Sequence, residues 1–284
     1  MKNLFDDFWF KLIVKSYDSP PVIWNDNLLP AFPSDTIQLN TTGQSGIETL
    51  KEAYIFYLDC CNIFEELGVP IKNTDRLLDF GVGWGRIARF FIRNIGLKNI
   101  HGLDVSSELI SSCKENFRTE NFHQCSPNPP SKLSDNYYDF IIGYSVFSHL
   151  SEEACLKWIA EFSRILKPGG ICALTTRGRP FFDYCESLKV KSKNKDNLSD
   201  YNNALGRLFE NFNLARQKYD EGEFVHSNID GVNGGGDMNK SFYGETFIPE
   251  LYASNVYAPY LKLERFMYQP SYQSHPIMFF RKGA

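Results

Sequence analysis

Three glycines at alternate positions, Gly81, Gly83 and Gly85, follow a short apolar run and precede a helix-like segment. Glycine lets the backbone approach a ligand closely and adopt conformations that other residues avoid, and the amides at the start of the next helix point toward that ligand. Asp104 lies nineteen residues beyond Gly85, at the end of a second apolar run. In a doubly wound fold, a carboxylate at that place binds the two hydroxyls of a ribose. The spacing predicts a site for a ribose-bearing ligand; the alternative is a glycine turn that only packs, with Asp104 capping the next helix.

Arg86 helps to decide which ribose-bearing ligand fits. The dinucleotide pattern G-x-G-x-x-G ends in a glycine, and Arg86 stands at that place when the pattern starts at Gly81. The run reads instead Asp-x-Gly-x-Gly-x-Gly, beginning at Asp79. The helix dipole opposes a cation at a helix N-terminus by roughly 0.3–1 kcal/mol, so we expect Arg86 to face the ligand's carboxylate, an acidic neighbour or solvent. A nicotinamide-dependent oxidoreductase is therefore disfavoured.

Strand-like and helix-like segments alternate from Arg76 to Arg177, and these elements must position the glycine turn and Asp104. Four apolar runs predict strands, at Leu77–Phe80, Ile100–Leu103, Tyr138–Tyr144 and Ile171–Thr176. Helices are predicted between them, near Arg86, at Ser107–Phe117 and at Ser151–Leu166, the last capped by Ser151 and ended by Lys167–Gly170. Such alternation predicts a parallel sheet covered on both faces, which is a doubly wound α/β fold.

The flanking segments carry weaker patterns. Prolines break any long element in residues 1–50, and a helix is predicted over residues 51–67. Residues 178–245 lose the alternation and contain a helical stretch at Ala204–Lys218. A helix-like Phe247–Tyr257 then precedes two strand-like segments whose short separation predicts an antiparallel pair, Leu261–Tyr268 and Pro276–Arg281.

The composition argues against several classes of protein. Thirty basic and 34 acidic side chains give a formal net charge of −4, which disfavours a protein that coats nucleic acid. The seven cysteines include no CxxC pair and no zinc-like cluster, so we expect reduced core residues in a cytoplasmic protein and no metal. No apolar run reaches about 18 residues, so no membrane span is expected.

The run from Asp79 to Gly85 resembles motif I of the class I S-adenosylmethionine-dependent methyltransferases. The resemblance continues in order, because Asp135–His149 looks like the fourth-strand motif and Arg164–Gly170 like the signature between a helix and the fifth strand. It implies a seven-stranded sheet of order 3-2-1-4-5-7-6 with the last strand antiparallel, and S-adenosylmethionine as cofactor with S-adenosylhomocysteine as product. Shorter stretches look similar to bacterial methyltransferases of surface-polysaccharide gene clusters, at Thr42–Gly46, Ser145–Leu150 and Tyr243–Phe247.

The resemblance also assigns cofactor-binding roles to particular residues. It gives Asp104 the ribose hydroxyls, Val105 a flank of the adenine, and Asn128 a place at the adenine edge. The backbone of Gly143 and Tyr144 would close the sulfonium end. The methionine half of the cofactor would be lined by Asp79, Gly81, Gly83 and Gly85.

The stretch Asn128–Ser131 reads Asn-Pro-Pro-Ser and resembles the Asn-Pro-Pro-aromatic motif of amino-directed DNA methyltransferases. That motif follows the fourth strand, whereas this stretch precedes it and lacks the aromatic residue. DNA is therefore rejected as the acceptor.

Methyl transfer to a hydroxyl or an amine benefits from a general base, whereas a carboxylate or phosphate acceptor needs none. His149, after the fourth strand, is the first candidate, with a scaffold role as the alternative, and His226 and Tyr243 are the next. Arg177 and Arg179, at the end of the fifth strand, suit an anionic acceptor, with plain solvation as the alternative.

We therefore expect a single methyltransferase domain over residues 1–284, with methyl transfer to a small polar acceptor. The leading hypothesis is O-methylation of a sugar, a sugar phosphate or another phosphorylated capsule or O-antigen precursor. The alternatives are an N-methyltransferase for a small amine and an inactive, methyltransferase-like binding module. The domain would comprise an N-terminal cover at 1–70, a cofactor core at 71–178, a substrate lid at 179–245 with a hinge at Gly231–Gly236, and a closing helix and strand pair at 246–284.

Overall fold

The structure is a computed structural model that describes residues 5, 7–194, 196–232, 238–268 and 275–283. The chain forms two compact units. The first comprises residues 1–125 with 138–142, and the second comprises residues 126–137 with 143–284.

The N-terminal part of the first unit contains regular elements where the sequence predicted an irregular segment. They are α1 (Phe8–Asp18), β1 (Ile23–Trp24), β2 (Asn27–Leu28) and α2 (Asp35–Thr42). They precede α3 (Gly46–Glu66), which is the helix predicted over residues 51–67 and begins five residues earlier than predicted. The expectation for residues 1–50 was wrong because side-chain caps start the two short helices: Asp7 accepts from the Trp9 amide, and Ser34 accepts from the Ile37 amide. The prolines lie outside these helices, so they do not prevent them.

The rest of the first unit is the predicted parallel part of the sheet. Its elements are β3 (Leu77–Phe80), α4 (Ala88–Phe91), β4 (Ile100–Asp104), α5 (Ser107–Phe117), β5 (Phe122–Gln124) and β6 (Tyr138–Gly143). β3 lies between β4 and β6, and β5 pairs with β4, all in parallel. The helix predicted near Arg86 is a single turn that begins two residues later.

The second unit adds the remaining strands and most of the C-terminal helices. Its elements are α6 (Glu152–Ile165), β7 (Leu166–Thr175), α7 (Pro180–Lys193), α8 (Asp200–Leu205), α9 (Phe212–Asp220), β8 (Val225–Ser227), β9 (Glu245–Phe247), α10 (Glu250–Val256), β10 (Lys262–Met267) and β11 (Ile277–Arg281). Ser151 caps α6 as predicted, since its side chain accepts from the Ala154 amide.

Two predicted boundaries in this unit were wrong. The strand predicted to begin at Ile171 begins at Leu166, directly after α6, because Gly169 and Gly170 exchange backbone hydrogen bonds of 3.0 Å with Lys282. The helix predicted at Ala204–Lys218 is two helices, because the Asn211 side chain accepts from the Leu214 amide and starts α9 anew.

The sheet order is β5-β4-β3-β6-β7-β11-β10. β11 runs antiparallel to both of its neighbours, with Ile277 opposite Thr175 and Arg281 opposite Lys262. Numbered along the sheet-forming strands, this is the expected order 3-2-1-4-5-7-6 with the last strand antiparallel. The predicted α/β fold is confirmed.

The segment predicted to form a lid packs into a hydrophobic core that it shares with β9. Phe182 of α7 stacks on Phe247 of β9 with ring centroids 3.9 Å apart, and Phe209 packs against both rings. Residues of α7, α8, α9 and β8 complete the same hydrophobic cluster. The hinge predicted at Gly231–Gly236 falls mostly outside the described residues.

Candidate functional site

The glycine turn of the first unit requires glycine for its backbone. Gly81, Gly83 and Gly85 have φ angles of 70°, 54° and 79°, a left-handed region that residues with a side chain enter at a cost. The turn is tied to β4, since the Gly81 amide donates to the Leu103 carbonyl over 2.8 Å. The alternating glycines therefore form the turn that the sequence predicted after β3.

Gly83 and Gly85 differ in what surrounds them. A Cβ added at Gly85 would lie 2.4 Å from Cε2 of Phe117, whereas at Gly83 the nearest atom would be Cγ2 of Thr41 at 3.3 Å. Gly85 is therefore needed for close packing of the turn against α5. Its place in the motif has a packing explanation that does not involve a ligand.

Asp104 connects β4, the glycine turn and α5. Its Oδ2 accepts from the Gly83 amide and its Oδ1 from the Ser106 amide, both over 2.9 Å. Burial raises the pKa of this carboxyl, while hydrogen bonds from the Ser106, Gly83 and Val105 amides act in the opposite direction. A carboxylate has about four lone-pair sites, so three amide donors leave Asp104 with capacity to accept from a ribose hydroxyl.

Asp79 lies beneath the turn and is buried. Its Oδ2 accepts from the Ala88 amide at the start of α4 over 3.1 Å. Burial raises its pKa to about 8, against the opposing effects of that amide and of Arg86. Arg86 itself donates from Nη1 to Glu52 over 2.5 Å and to Thr49, so an acidic neighbour on α3 offsets its unfavourable place near the helix start.

Two further residues of the expected cofactor site lie in exposed or half-buried loops. Val105 is half-buried, and its carbonyl accepts from the Gln124 side chain over 2.9 Å. Asn128 belongs to the second unit and is exposed. Gly143 ends β6, and Tyr144 follows with its ring 5.4 Å from that of His275.

His149 of the second unit is held in a defined orientation. Its Nδ1 lies 2.8 Å from the Gly244 carbonyl oxygen, and its ring stacks on Tyr243 with centroids 4.9 Å apart and planes 2° from parallel. A carbonyl only accepts hydrogen bonds, so Nδ1 carries a proton. In the neutral ring Nε2 is then a proton acceptor, and it lies 3.4 Å from Oγ of Ser145.

Glu245 lies beside His149, and the sequence reasoning did not single it out. Its Oε1 is 3.4 Å from Nδ1 of His149 and accepts from the Tyr201 hydroxyl over 2.5 Å, while its Oε2 accepts from Nε of Arg177 over 2.8 Å. Burial alone would raise the pKa of Glu245, but the charge of Arg177 and the contact with His149 outweigh burial and lower the pKa strongly. Glu245 is therefore a buried, ionised carboxylate.

Strand β9 brings Glu245 to this place. The Gly244 and Thr246 amides donate to the carbonyls of His149 and Ser148, and the Arg177 amide donates to the Thr246 carbonyl. β9 is therefore bonded both to the segment after β6 and to the segment after β7. Glu245 lies within Tyr243–Phe247, which was recognised in the sequence only as a short stretch similar to bacterial methyltransferases. That similarity is the sequence signal that could have pointed to Glu245.

The remaining predicted residues have other partners. His226 pairs through Nδ1 with the Thr246 hydroxyl over 2.8 Å, and burial lowers its pKa. Arg177 is buried and bonded to Glu245, whereas Arg179 is half-exposed and bonded to Asp220 through two nitrogens, with a shortest distance of 2.7 Å. Both arginines are thus paired with a carboxylate.

The described part of the chain contains neither a metal-binding cluster nor a helix able to cross a membrane. Among the residues that the structure describes, no group of three or more His, Cys, Asp or Glu side chains has the arrangement of a metal site. None of the described helices combines the length and the apolar character that crossing a bilayer requires.

Comparison with known proteins indicates that the chemistry is methyl transfer. Residues 77–170 match the family model described as a methyltransferase domain. The chain is 26% identical over 201 residues to an uncharacterized methyltransferase of Schizosaccharomyces pombe, covering 65% of this chain and 70% of that protein.

Solved structures match this chain at low sequence identity. A Rhodobacter sphaeroides structure provisionally named for the Zn-dependent alcohol dehydrogenases matches with a TM-score of 0.51 and 13% identity, covering 83% of this chain and 98% of that one. An S-adenosylmethionine-dependent methyltransferase from Clostridium acetobutylicum matches with a TM-score of 0.49 and 13% identity, covering 84% and 92%. Similarity at this level concerns the fold alone.

The sheet order and the matched domain define the class I methyltransferase fold. The protein is an S-adenosylmethionine-dependent methyltransferase, and S-adenosylmethionine is its cofactor. The geometry of the first unit fits that cofactor, because the turn needs its glycines and the Asp104 oxygens retain acceptor capacity.

Proposed function

We propose that the protein methylates a hydroxyl group of a small polar acceptor, with a sugar of a surface-polysaccharide precursor as the substrate class. The observation that carries this proposal is the hydrogen bond from Nδ1 of His149 to the Gly244 carbonyl. It leaves Nε2 as a fixed proton acceptor, which a hydroxyl nucleophile uses and a carboxylate or phosphate nucleophile does not need.

The cofactor supplies a methyl group on a positively charged sulfonium. The residues proposed to hold it are those of the resemblance: Asp79, Gly81, Gly83, Asp104, Val105, Asn128, Gly143 and Tyr144. Gly85 supports the turn by packing against Phe117. Alignment of the acceptor for in-line attack then provides much of the rate enhancement, and His149 removes the proton.

The geometry supports a neutral acceptor better than a phosphorylated one. Arg177 is bonded to Glu245 and Arg179 to Asp220, so binding a phosphate at either would require breaking an existing ion pair. Accordingly, we propose a free hydroxyl sugar, or the sugar part of a larger precursor, ahead of a sugar phosphate. In this proposal residues 1–284 act as one methyltransferase domain, with the packed segment 179–245 shaping the acceptor side.

The other base candidates are placed differently. The Thr246 hydroxyl donates to the Leu150 carbonyl over 2.6 Å, so Nδ1 of His226 is the donor in its contact with Thr246. Nε2 of His226 is then the acceptor nitrogen, but it is buried and has no hydrogen-bond partner among the described residues, so an acceptor hydroxyl does not reach it. Tyr243 supports His149 by stacking. We therefore propose His149 as the base, with Tyr243 holding its ring in place.

The proposal is tested by incubating the protein with S-adenosylmethionine labelled in the methyl group and a panel of monosaccharides, nucleotide-linked sugars, sugar phosphates and small amines. We expect label in a sugar ether. His149→Gln should lower turnover by about 100-fold, whereas Arg179→Ala, at a half-exposed ion pair, should leave turnover unchanged.

Two results would count against this function. Label found only in amines would establish N-methylation instead. Tight binding of S-adenosylhomocysteine without labelling of any acceptor class would favour the binding-module alternative.

A further inference from the structure

Ser145 occupies a strained position directly after the end of β6. Its φ of 58° lies in the left-handed region that favours glycine, and such strain is concentrated at functional sites. The Ser145 amide donates to Oγ1 of Thr175 over 2.7 Å, which fixes the backbone. Its Oγ lies 3.4 Å from Nε2 of both His149 and His275, and Ser148 donates to it over 3.5 Å.

The direction of the hydrogen bonds around Ser145 is fixed by groups that can only donate or only accept. A guanidinium has no acceptor, so Nη1 of Arg177 donates to Nε2 of His275 over 2.8 Å and occupies its lone pair. Nδ1 of His149 donates to the Gly244 carbonyl. Of the two imidazole nitrogens near Ser145, Nε2 of His149 is therefore the one that can accept the Ser145 proton. The 3.4 Å separation is long for a hydrogen bond, but such contacts shorten when an enzyme binds its substrate.

The charge that this transfer would create on His149 already faces a counter-charge. Glu245 is fully buried and lies 3.4 Å from Nδ1 of His149. Arg177 and the Tyr201 hydroxyl hold the carboxylate in place from the other side. An imidazolium at His149 would form beside an ionised, preorganised group, which is the arrangement that stabilises developing charge in a site of low polarity.

We propose that Ser145 is a catalytic residue that relays the acceptor's proton to His149. In this proposal Glu245 is the residue that positions His149. The proposal rests on the proposed O-methylation and deepens it. As the acceptor oxygen bonds to the methyl group and the methyl–sulfur bond breaks, the hydroxyl proton passes to Oγ of Ser145. The Ser145 proton passes to Nε2 of His149, leaving a methyl ether, S-adenosylhomocysteine and an imidazolium that later releases its proton to water.

The kinetic test compares two variants at the same position. Ser145→Ala and Ser145→Gly both remove the hydroxyl, but only glycine adopts the left-handed backbone freely. With a sugar found in the labelled-methyl panel, both variants should lose turnover by about 100-fold while the acceptor KM stays within about 2-fold. Full turnover in Ser145→Gly, or a loss confined to Ser145→Ala, would overturn the relay.

A second test needs no acceptor. The chain has five histidines, so nitrogen-15 labelling of histidine in the protein bound to S-adenosylhomocysteine gives a tractable spectrum, in which His149→Gln identifies His149. We expect a proton on Nδ1 and none on Nε2, with the Nε2 resonance shifted by Ser145→Ala while that of His101 stays unchanged.

A proton on Nε2 of neutral His149, or no shift in the Ser145→Ala variant, would overturn the relay. The two proposals fail separately. If no sugar is methylated, the proposed function fails and the relay is judged from the spectrum alone. If a sugar is methylated but the spectrum is unchanged by Ser145→Ala, only the relay fails.

Discussion

Nε of Arg177 lies 2.8 Å from Oε2 of Glu245, and both side chains are buried. The residues are 68 positions apart in the chain, and β9 brings them together beside His149. A buried ion pair adds little net stability, because desolvation offsets the attraction, but removing one partner leaves an unpaired buried charge.

The first prediction concerns that pair. Glu245→Gln should lower the free energy of unfolding by about 3–5 kcal/mol, because Arg177 stays buried without a counter-charge. Urea denaturation measures the change. The matched control is Asp220→Asn, which neutralises the partner of half-exposed Arg179 and should cost no more than about 1 kcal/mol. Equal losses in the two variants would show that Glu245 is not buried with Arg177 as described.

The second prediction concerns cofactor affinity. Asp104→Asn replaces one carboxylate oxygen by an amide that cannot accept a hydrogen bond. We expect affinity for S-adenosylhomocysteine to fall by about 10–100-fold, as for the loss of one charge-assisted hydrogen bond. Isothermal titration calorimetry checks this. Glu108→Gln, an exposed change of the same charge in the first turn of α5, should leave the affinity unaltered, and an equal effect would refute a specific role for Asp104.

The third prediction separates backbone strain from packing at the glycine turn. Gly85→Ala incurs about 1–2 kcal/mol for the left-handed backbone and about 1–3 kcal/mol more for overpacking against Phe117. Gly43 has a similar φ of 73°, but nothing lies within 4 Å of an added Cβ, so Gly43→Ala should show the backbone cost alone. Thermal unfolding of both variants gives the difference, and equal destabilisation would contradict the packing role of Gly85.

The fourth prediction is a pH dependence of stability. Burial raises the pKa of Asp79 from its ordinary 3.8 to about 8, so between those values the folded protein holds a proton that the unfolded chain has released. The contribution of Asp79 to stability therefore falls as the pH rises through this range. Asp79→Asn should be more stable than wild type by a margin that grows from pH 5 to pH 8, measured by urea denaturation. The exposed Glu115→Gln should show no growing margin; a constant margin for Asp79→Asn would contradict the raised pKa.

The fold could be predicted from the sequence because its signals are periodic and local. Apolar runs alternate with helical patterns from Leu77 to Thr175, and the spacing from Gly85 to Asp104 places the carboxylate at the end of the second strand. The short helices α1 and α2 were missed because each depends on a single capping side chain, Asp7 or Ser34. A cap gives a much weaker sequence pattern than a long amphipathic helix.

The candidate site was predicted only in part. His149 was found because it follows a strand and precedes a capped helix. Its partner Glu245 was missed, since an ion pair between residues far apart in the chain leaves no periodic pattern. Ser145 was missed as a separate residue because its positive φ arises from tertiary contacts such as that with Thr175, and serine carries no strong preference for that conformation.

The direct passage from α6 to β7 limits how the length of this chain can vary. α6 ends at Ile165 and β7 begins at Leu166, while β7 is held in register by β11, with Ile171 opposite Arg281. One residue inserted after Ile165 would shift the strand and turn every side chain to the opposite face of the sheet. Insertions and deletions among homologous proteins should therefore avoid this junction and collect where the chain leaves its regular elements, such as residues 196–199, which precede α8.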